Sequence, residues 1–313
     1  MTQTPSAVAP NRLQAWLLGP PDRPWWGRAG LLALLAASSL LYLWALDASG
    51  YGNEYYAAAA YSGSLDWHAW LFGSLDTESF ISVDKPPLSL WVTGLSVRLF
   101  GLSSWSVLVP HALAGIATVW VLHATVRRWH GEAAALTAGA LLAVTPVFVV
   151  MSRYNNPDAI LTLLLTATVA LAYSATRRGS VRLLTAAGAL AGLAFLTKTT
   201  QALLVLPAIA IAYLIAAPVS LRRRLAHGAA AVGAWLAAAG WWIVLAVTVP
   251  STPFFGQTDG GGFLEYVFGY NGLGRVTGDG VGPNDPFGGG GGWARLFNDE
   301  VGGQVSWLVP LAV

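Results

Sequence analysis

The chain has 313 residues, of which 55% are hydrophobic and only 10% charged, against roughly 25% charged in a soluble domain. Its lack of cysteine excludes disulfides, Cys-ligated zinc and thiol chemistry, and a net charge of +2 gives no argument for a nucleic-acid partner. The mean hydropathy of +0.56 points to an integral membrane protein.

Runs nearly free of charge occupy 29–46, 104–126, 133–151, 159–176, 183–197, 201–217 and 229–249. Each approaches the ~17–25 residues needed to cross a ~30 Å hydrocarbon core; the fifth is the shortest. Backbone polar groups in lipid must be satisfied within the segment, so Ala/Leu/Val runs of this length predict helices rather than strands. The expected fold is all-α, a polytopic transmembrane helix bundle of about 7–8 spans.

Residues 1–28, with Arg12, Arg23 and Arg28, read as a cytoplasmic N-terminal tail. The run 29–46 is longer than a ~7–15 residue signal-peptide core and no A-x-A site stands directly after it, so an uncleaved first helix is expected. Residues 47–103 then form an outer loop. Within it, 86–101 tempts a transmembrane reading, but spanning there would invert every later loop. Together with the Trp-rich piece Trp67–Phe72 it is expected to form short helices at the outer interface. The transmembrane region thus runs from 29 to 249. A Gly-rich extracytoplasmic loop follows over 250–303, read either as a flexible connection or as a loop that closes over a ligand. Residues 304–313 begin a further apolar run too short to span, as expected for the N-terminal portion of a longer protein. Whether 1–313 acts alone is left open.

The charges sort by side. Eleven Lys/Arg fall on one set of connections with only Asp22 and Glu132, while thirteen acids and six bases fall on the other. The positive-inside rule makes the first set cytoplasmic. The protein is then a multi-pass cell-membrane protein with its reactive side chains on the extracytoplasmic face.

Four clusters on that face could carry chemistry. Glu54, in Gly52-Asn53-Glu54-Tyr55-Tyr56, is either a general base or a solvated loop acid. Lys85, in Asp84-Lys85-Pro86-Pro87, sits on backbone stiffened by proline and suits a phosphate, or snorkels to the interface. Asp158 and Arg153, in Arg153-Tyr154-Asn155-Asn156-Pro157-Asp158, offer a helix cap and a phosphate ligand, or an ion pair with each other. Lys198, in Thr197-Lys198-Thr199, is costly between two apolar spans unless it has a partner or an anionic ligand. Acids and phosphate-type cations on one face make lipid-linked phosphate with acid/base chemistry the economical reading.

The ordered motifs Lys85–Leu88 with Leu99-Phe100-Gly101, Arg153-x4-Asp158 and Gly192–Lys198 resemble the GT-C glycosyltransferases. The resemblance is to the family of protein O-mannosyltransferases and lipid A aminoarabinose transferases, in its bacterial, largely actinobacterial, mannosyltransferase-like branch. The strings YGNEYYAAA, SVDKPPLSLW and FGYNGLGR and the stretch Phe297–Pro310 are similar to that branch. The resemblance implies inverting transfer of a sugar from a polyprenyl-phosphate donor to an acceptor hydroxyl of a protein, glycan or lipid, without a cofactor or a metal. It implies Lys85, with Arg153 or Lys198, on the donor phosphate, and a first-loop acid as base. The family pattern has Asp-Glu where this chain has Asn53-Glu54. Since Asn is no base, the role passes to Glu54, with Asp84 and Asp158 behind it. Asn53, Tyr55 and Asn156 are further loop candidates. The rival readings are a transporter or lipid flippase, and a non-catalytic polyprenyl-phosphate-binding fragment.

Overall fold

The computed structural model describes residues 24–273. Among these residues the β features are two isolated bridges, Ser74 with Ser82 and Ile81 with Phe254, and the rest of the architecture is helical. The expected tail before residue 24, the rest of the Gly-rich loop and the run 304–313 lie outside the described residues.

Helix α1 (Gly27–Leu43) leads through a 3₁₀ turn at Leu46–Ser49 into three short helices: α2 (Glu54–Leu65), α3 (Trp67–Phe72) and α4 (Leu88–Phe100). Side-chain caps start two of them. Asn53 Oδ1 accepts the Tyr55 N–H at 3.0 Å, and Asp66 Oδ1 accepts the Ala69 N–H at 2.8 Å; such caps are worth about 1 kcal/mol each. At 13 residues, α4 extends about 20 Å and falls short of a ~30 Å hydrocarbon core. It packs on α2 and on the next helix instead. Stacked indoles pin this layer to the bundle: Trp70 on Trp91 at 5.4 Å, and Trp91 on Trp241 at 5.7 Å.

The next helical run, α5 (Ser104–Val144), contains Gly131 at φ +83°, a conformation that favours glycine. The chain doubles back there. His123 meets Glu132 at 3.0 Å, a Cβ added at Gly139 would touch Val119, and one added at Gly115 would strike Ser152. Partners recede from Gly131 on both sides, which is the pairing of an antiparallel hairpin with arms 104–130 and 132–144. The second arm continues as α6 (Pro146–Ser152) after a break at Thr145, whose extended backbone (φ −62°, ψ 119°) is what the following proline imposes. The single run expected over 133–151 is thus two helices.

Helices α7 (Asp158–Arg178) and α8 (Val181–Lys198) form the next hairpin. The run expected over 201–217 shortens to α9 (Leu206–Ala216), because Thr199–Leu203 winds as 3₁₀ after a left-handed Thr199 (φ +40°). Helix α10 (Leu221–Trp235) passes through a π turn at Leu236–Gly240 into α11 (Trp241–Thr248). By length and composition, the helical runs Ser104–Val144, Asp158–Arg178, Val181–Leu203 and Leu221–Thr248 are able to cross a membrane. Small residues let α8 and α10 approach closely. A Cβ at Gly188 would meet the Ala231 carbonyl oxygen, and one at Gly192 the Trp235 carbonyl oxygen at 2.7 Å.

The start of the Gly-rich segment is packed rather than loose. Phe255, Phe263, Tyr266 and Val267 are buried with Trp242 and Leu196 in one apolar cluster, and residues Glu265–Leu273 form a π-helical turn.

The fold gathers the basic connections at one end. The Arg177 guanidinium lies 5.1 Å over the Trp129 ring, and Gly179 abuts Val219 and Pro218. At the opposite end, α2, the 73–87 loop, the α6–α7 turn and the α8–α9 turn meet.

Candidate active site

Asp84 is the hub of that second end. It sits in the loop after α3, anchored where the Val83 N–H donates to the Gly73 carbonyl at 3.0 Å and Gly73 takes the left-handed φ of +67°. The Lys85 ammonium donates to Asp84 Oδ2 at 2.6 Å and to its backbone carbonyl at 3.1 Å. Tyr56 Oη donates to Oδ1 at 2.8 Å and Tyr270 Oη to Oδ2 at 3.2 Å. Lys85 is 7% exposed and lies 4.9 Å over the Tyr270 ring. Asn271 closes the arrangement, donating to the Asp84 and Tyr266 carbonyls, each at 3.0 Å.

Electrostatics assign protonation states here. Burial alone would push the Asp84 carboxyl up, but the Lys85 charge and the hydrogen bonds from Lys85, Tyr56 and Tyr270 outweigh it and hold it below the usual carboxylate range. Burial first, and then the Asp84 charge, push the Tyr55, Tyr56 and Tyr266 hydroxyls up. Asp84 is therefore an ionised acceptor ringed by neutral phenols.

A second ion pair lies nearby. The Lys198 ammonium, at the last residue of α8, donates to Asp158 Oδ1 at 2.7 Å and Oδ2 at 2.9 Å, and Asn156 Nδ2 donates to Oδ2 at 2.6 Å. Asp158 opens α7 without serving as its side-chain cap. The turn beyond Lys198 ties the two pairs together, since the Thr200 hydroxyl donates to the Asn271 carbonyl.

The remaining expected residues fall elsewhere. Asn53 and Asn155 form a reciprocal clasp, Asn53 N–H to Asn155 Oδ1 at 2.6 Å and Asn155 Nδ2 to the Asn53 carbonyl at 2.9 Å, which locks the first loop to the α6–α7 turn. Arg153 turns away from Asp158 and donates to the Leu41 and Ala45 carbonyls at the end of α1, at 2.8 and 3.3 Å. It acts there as a C-terminal helix partner. Glu54 is exposed at the first position of α2, and no side chain among the described residues bonds it.

Tyr56, Asn155, Thr200, Tyr270 and Asn271 carry the geometry and were not among the site candidates. Tyr56 lies in YGNEYYAAA and Tyr270 and Asn271 in FGYNGLGR, strings that carry the family resemblance; Asn155 lies within Arg153–Asp158, and Thr200 follows Lys198 by two residues. Among the described residues no three His, Asp or Glu side chains gather as a metal site. Lys85 and Lys198 are cations at this end, each held by a carboxylate.

The family model for dolichyl-phosphate-mannose-protein mannosyltransferases matches residues 84–243, about half of the chain, and takes in Asp84, Lys85, Asp158 and Lys198. Two Bacillus subtilis (strain 168) relatives are candidate mannosyltransferases. YkcB is 34% identical over 80% of this chain and 36% of its own length, and YycA is 36% identical over 81% and 37%. The chain thus spans a little over a third of these curated relatives. Among solved structures it is similar to ArnT from Cupriavidus metallidurans in the apo state, with a TM-score of 0.54 and 25% identity over 72% of this chain and 43% of that one. The same protein bound to undecaprenyl phosphate gives a TM-score of 0.57 at 24% identity, over 80% of this chain and 45% of that one. The helix bundle is shared with ArnT, and the motif-bearing half of the sequence is shared with the family. The chain belongs to the dolichyl-phosphate-mannose-protein mannosyltransferase family.

Proposed function

We propose that this chain transfers a sugar from a polyprenyl-phosphate donor to an acceptor hydroxyl at the extracytoplasmic face of the membrane. The observation that carries this reading is the buried Asp84–Lys85 pair set against Tyr56 and Tyr270, at the end of the bundle away from the arginine-rich connections. A cation held in a water-poor, hydrogen-bonded site suits a phosphate leaving group, whose charge grows as the glycosidic bond breaks. The positive-inside rule turns the arginine-rich end to the cytoplasm and this site outward. The bundle's likeness to ArnT, solved with undecaprenyl phosphate, supports a lipid-linked donor.

The three acids divide by what surrounds them. Asp84 and Asp158 spend their carboxylate oxygens on Lys85, Lys198, Tyr56, Tyr270 and Asn156. They orient cations. A base of depressed pKa is also a weak one, which counts against Asp84 for proton abstraction. Glu54 keeps an open carboxylate and is the base in this reading, taking the acceptor's proton as its oxygen attacks the anomeric carbon and the phosphate departs. Asn53, where the family pattern has an acid, holds the loop through Asn155.

Binding of a radiolabelled polyprenyl-phosphate sugar to the detergent-purified chain tests the donor site. Saturable binding is expected, weakened by about tenfold or more in Lys85→Ala, since a charged hydrogen bond is worth roughly 1.5–3 kcal/mol. Equal binding by a folded Lys85→Ala protein would overturn this assignment. The transporter reading predicts instead movement of the lipid between leaflets without transfer.

A further inference from the structure

The geometry points to a lipid site apart from the Asp84 hub, an interhelical cavity that takes one acyl chain of a membrane phospholipid. The cavity holds about 550 Å³ and lies between α7, α8, α9 and α10. On α10 its wall extends from Arg224 to Trp235, a rise of about 16 Å. One leaflet supplies about 15 Å of hydrocarbon, half of a ~30 Å core. The cavity thus reaches from the arginine-rich end to about the bilayer midplane. On α8 its wall stops at Ala191, a rise of about 10 Å short of Lys198. It is a separate site.

Two observations name the occupant. The first is that the polar side chains in the wall are spent on the protein itself. The Thr168 hydroxyl donates to the Leu164 carbonyl at 2.8 Å, and Tyr213 Oη pairs with His227 Nδ1 at 2.6 Å. Arg224 donates to the Val219 carbonyl at 2.9 Å, and to those of Leu214 and Ile215 at the end of α9. The Trp235 indole N–H is left without a partner. An ordered water needs about 2–4 polar partners, so a single donor does not fill this space with water. Left empty, it would forfeit the dispersion contacts of every side chain around it. Hydrocarbon restores them.

The second is that the cavity opens onto the surface that faces lipid. Leu214, Leu225 and Val232 belong to its wall and are also exposed, which sets the mouth between α9 and α10. Ile211 and Ile215 beside it are exposed too, and Leu221–Thr248 is the least covered of the four runs able to span. A chain from the surrounding leaflet enters there without leaving hydrocarbon, and its headgroup stays at the level of Arg224.

Native mass spectrometry of the detergent-purified chain tests the site, with long-chain phosphatidylcholine as the probe. One molecule should stay bound, and a short-chain phosphatidylcholine should bind about tenfold more weakly or worse. Phosphatidylglycerol of the same long chains should bind equally, because Arg224 is already engaged. Gly228→Phe tests the place. Gly228 lines the cavity and a Cβ there meets nothing within 4 Å, so the ring has room to fill it and affinity should fall about tenfold. Gly233→Phe has the same room on the same helix but lies outside the wall, and should bind like wild type. Equal affinity in the two variants, or a tenfold preference for phosphatidylglycerol, would overturn the site. Displacement by an equal concentration of polyprenyl phosphate would overturn the phospholipid assignment in favour of an isoprenoid tail. A dimeric mass lost in Gly228→Phe would overturn it in favour of a second copy of the chain. Should Gly228→Phe fail to fold, Gly228→Leu decides: affinity should fall severalfold, and unchanged affinity would sink the proposal.

Discussion

Lys198 at the end of α8 reaches Asp158 at the start of α7 at 2.7 Å, joining the two helices across the end of their hairpin. This contact explains a lysine that is costly where the sequence puts it. The pair is only partly shielded, with the side chains 14% and 28% exposed, so its worth lies between that of surface and buried bridges. Asp158→Asn should lower stability by about 1–3 kcal/mol, and a double-mutant cycle with Lys198→Met should return a coupling of about 1–2 kcal/mol. Thermal unfolding in detergent measures both. Additive effects would mean that the two side chains act independently.

Acid should loosen the Asp84 hub. Its carboxyl titrates below the ordinary value of 3.8 in the folded chain. It therefore contributes stability that is complete above the unfolded value and is lost as pH falls through the folded one. Between about pH 5 and pH 3, the melting temperature of the wild type should drop faster than that of Asp84→Asn. Parallel curves over that window would remove the pair from the stability account.

Glu54→Gln should separate chemistry from binding. An exposed side chain without partners leaves stability within about 0.5 kcal/mol of wild type. Donor binding should persist, while transfer falls about 100-fold or more. Retained transfer would move the base role to Asp84 or Asp158.

Helix contact at Gly188 offers a test that is independent of function. Gly188→Val has no room against the Ala231 carbonyl and should cost about 1–3 kcal/mol. Gly233→Ala, in α10, meets nothing within 4 Å and should gain about 0.5–1 kcal/mol from helix propensity. Equal melting temperatures for the two variants would argue against close α8–α10 packing.

Much of the bundle was legible in advance. The apolar runs, the break near Arg127–Glu132 and the short, non-spanning 86–101 helix all follow from length and charge alone. Those are one-dimensional properties. A lipid core demands internally bonded backbone of sufficient length, and that demand is written residue by residue along the chain. The sequence also brought Asp84, Lys85, Asp158 and Lys198 forward, because a charge beside an apolar span stands out.

Partners were not legible, since they depend on which turns meet. Asp158 could have faced Arg153 five residues away, and it faces Lys198 forty residues on. Tyr270 and Asn271, within a Gly-rich stretch without periodicity, reach Asp84 from 186 and 187 residues away. By itself the sequence determined the apolar runs, their order and which connections carry charge, while breaks at Thr145 and Thr199 reset helix bounds. Only the tertiary structure decided which cation each acid holds, because a hydrogen bond of about 3 Å requires packing to converge from several helices at once.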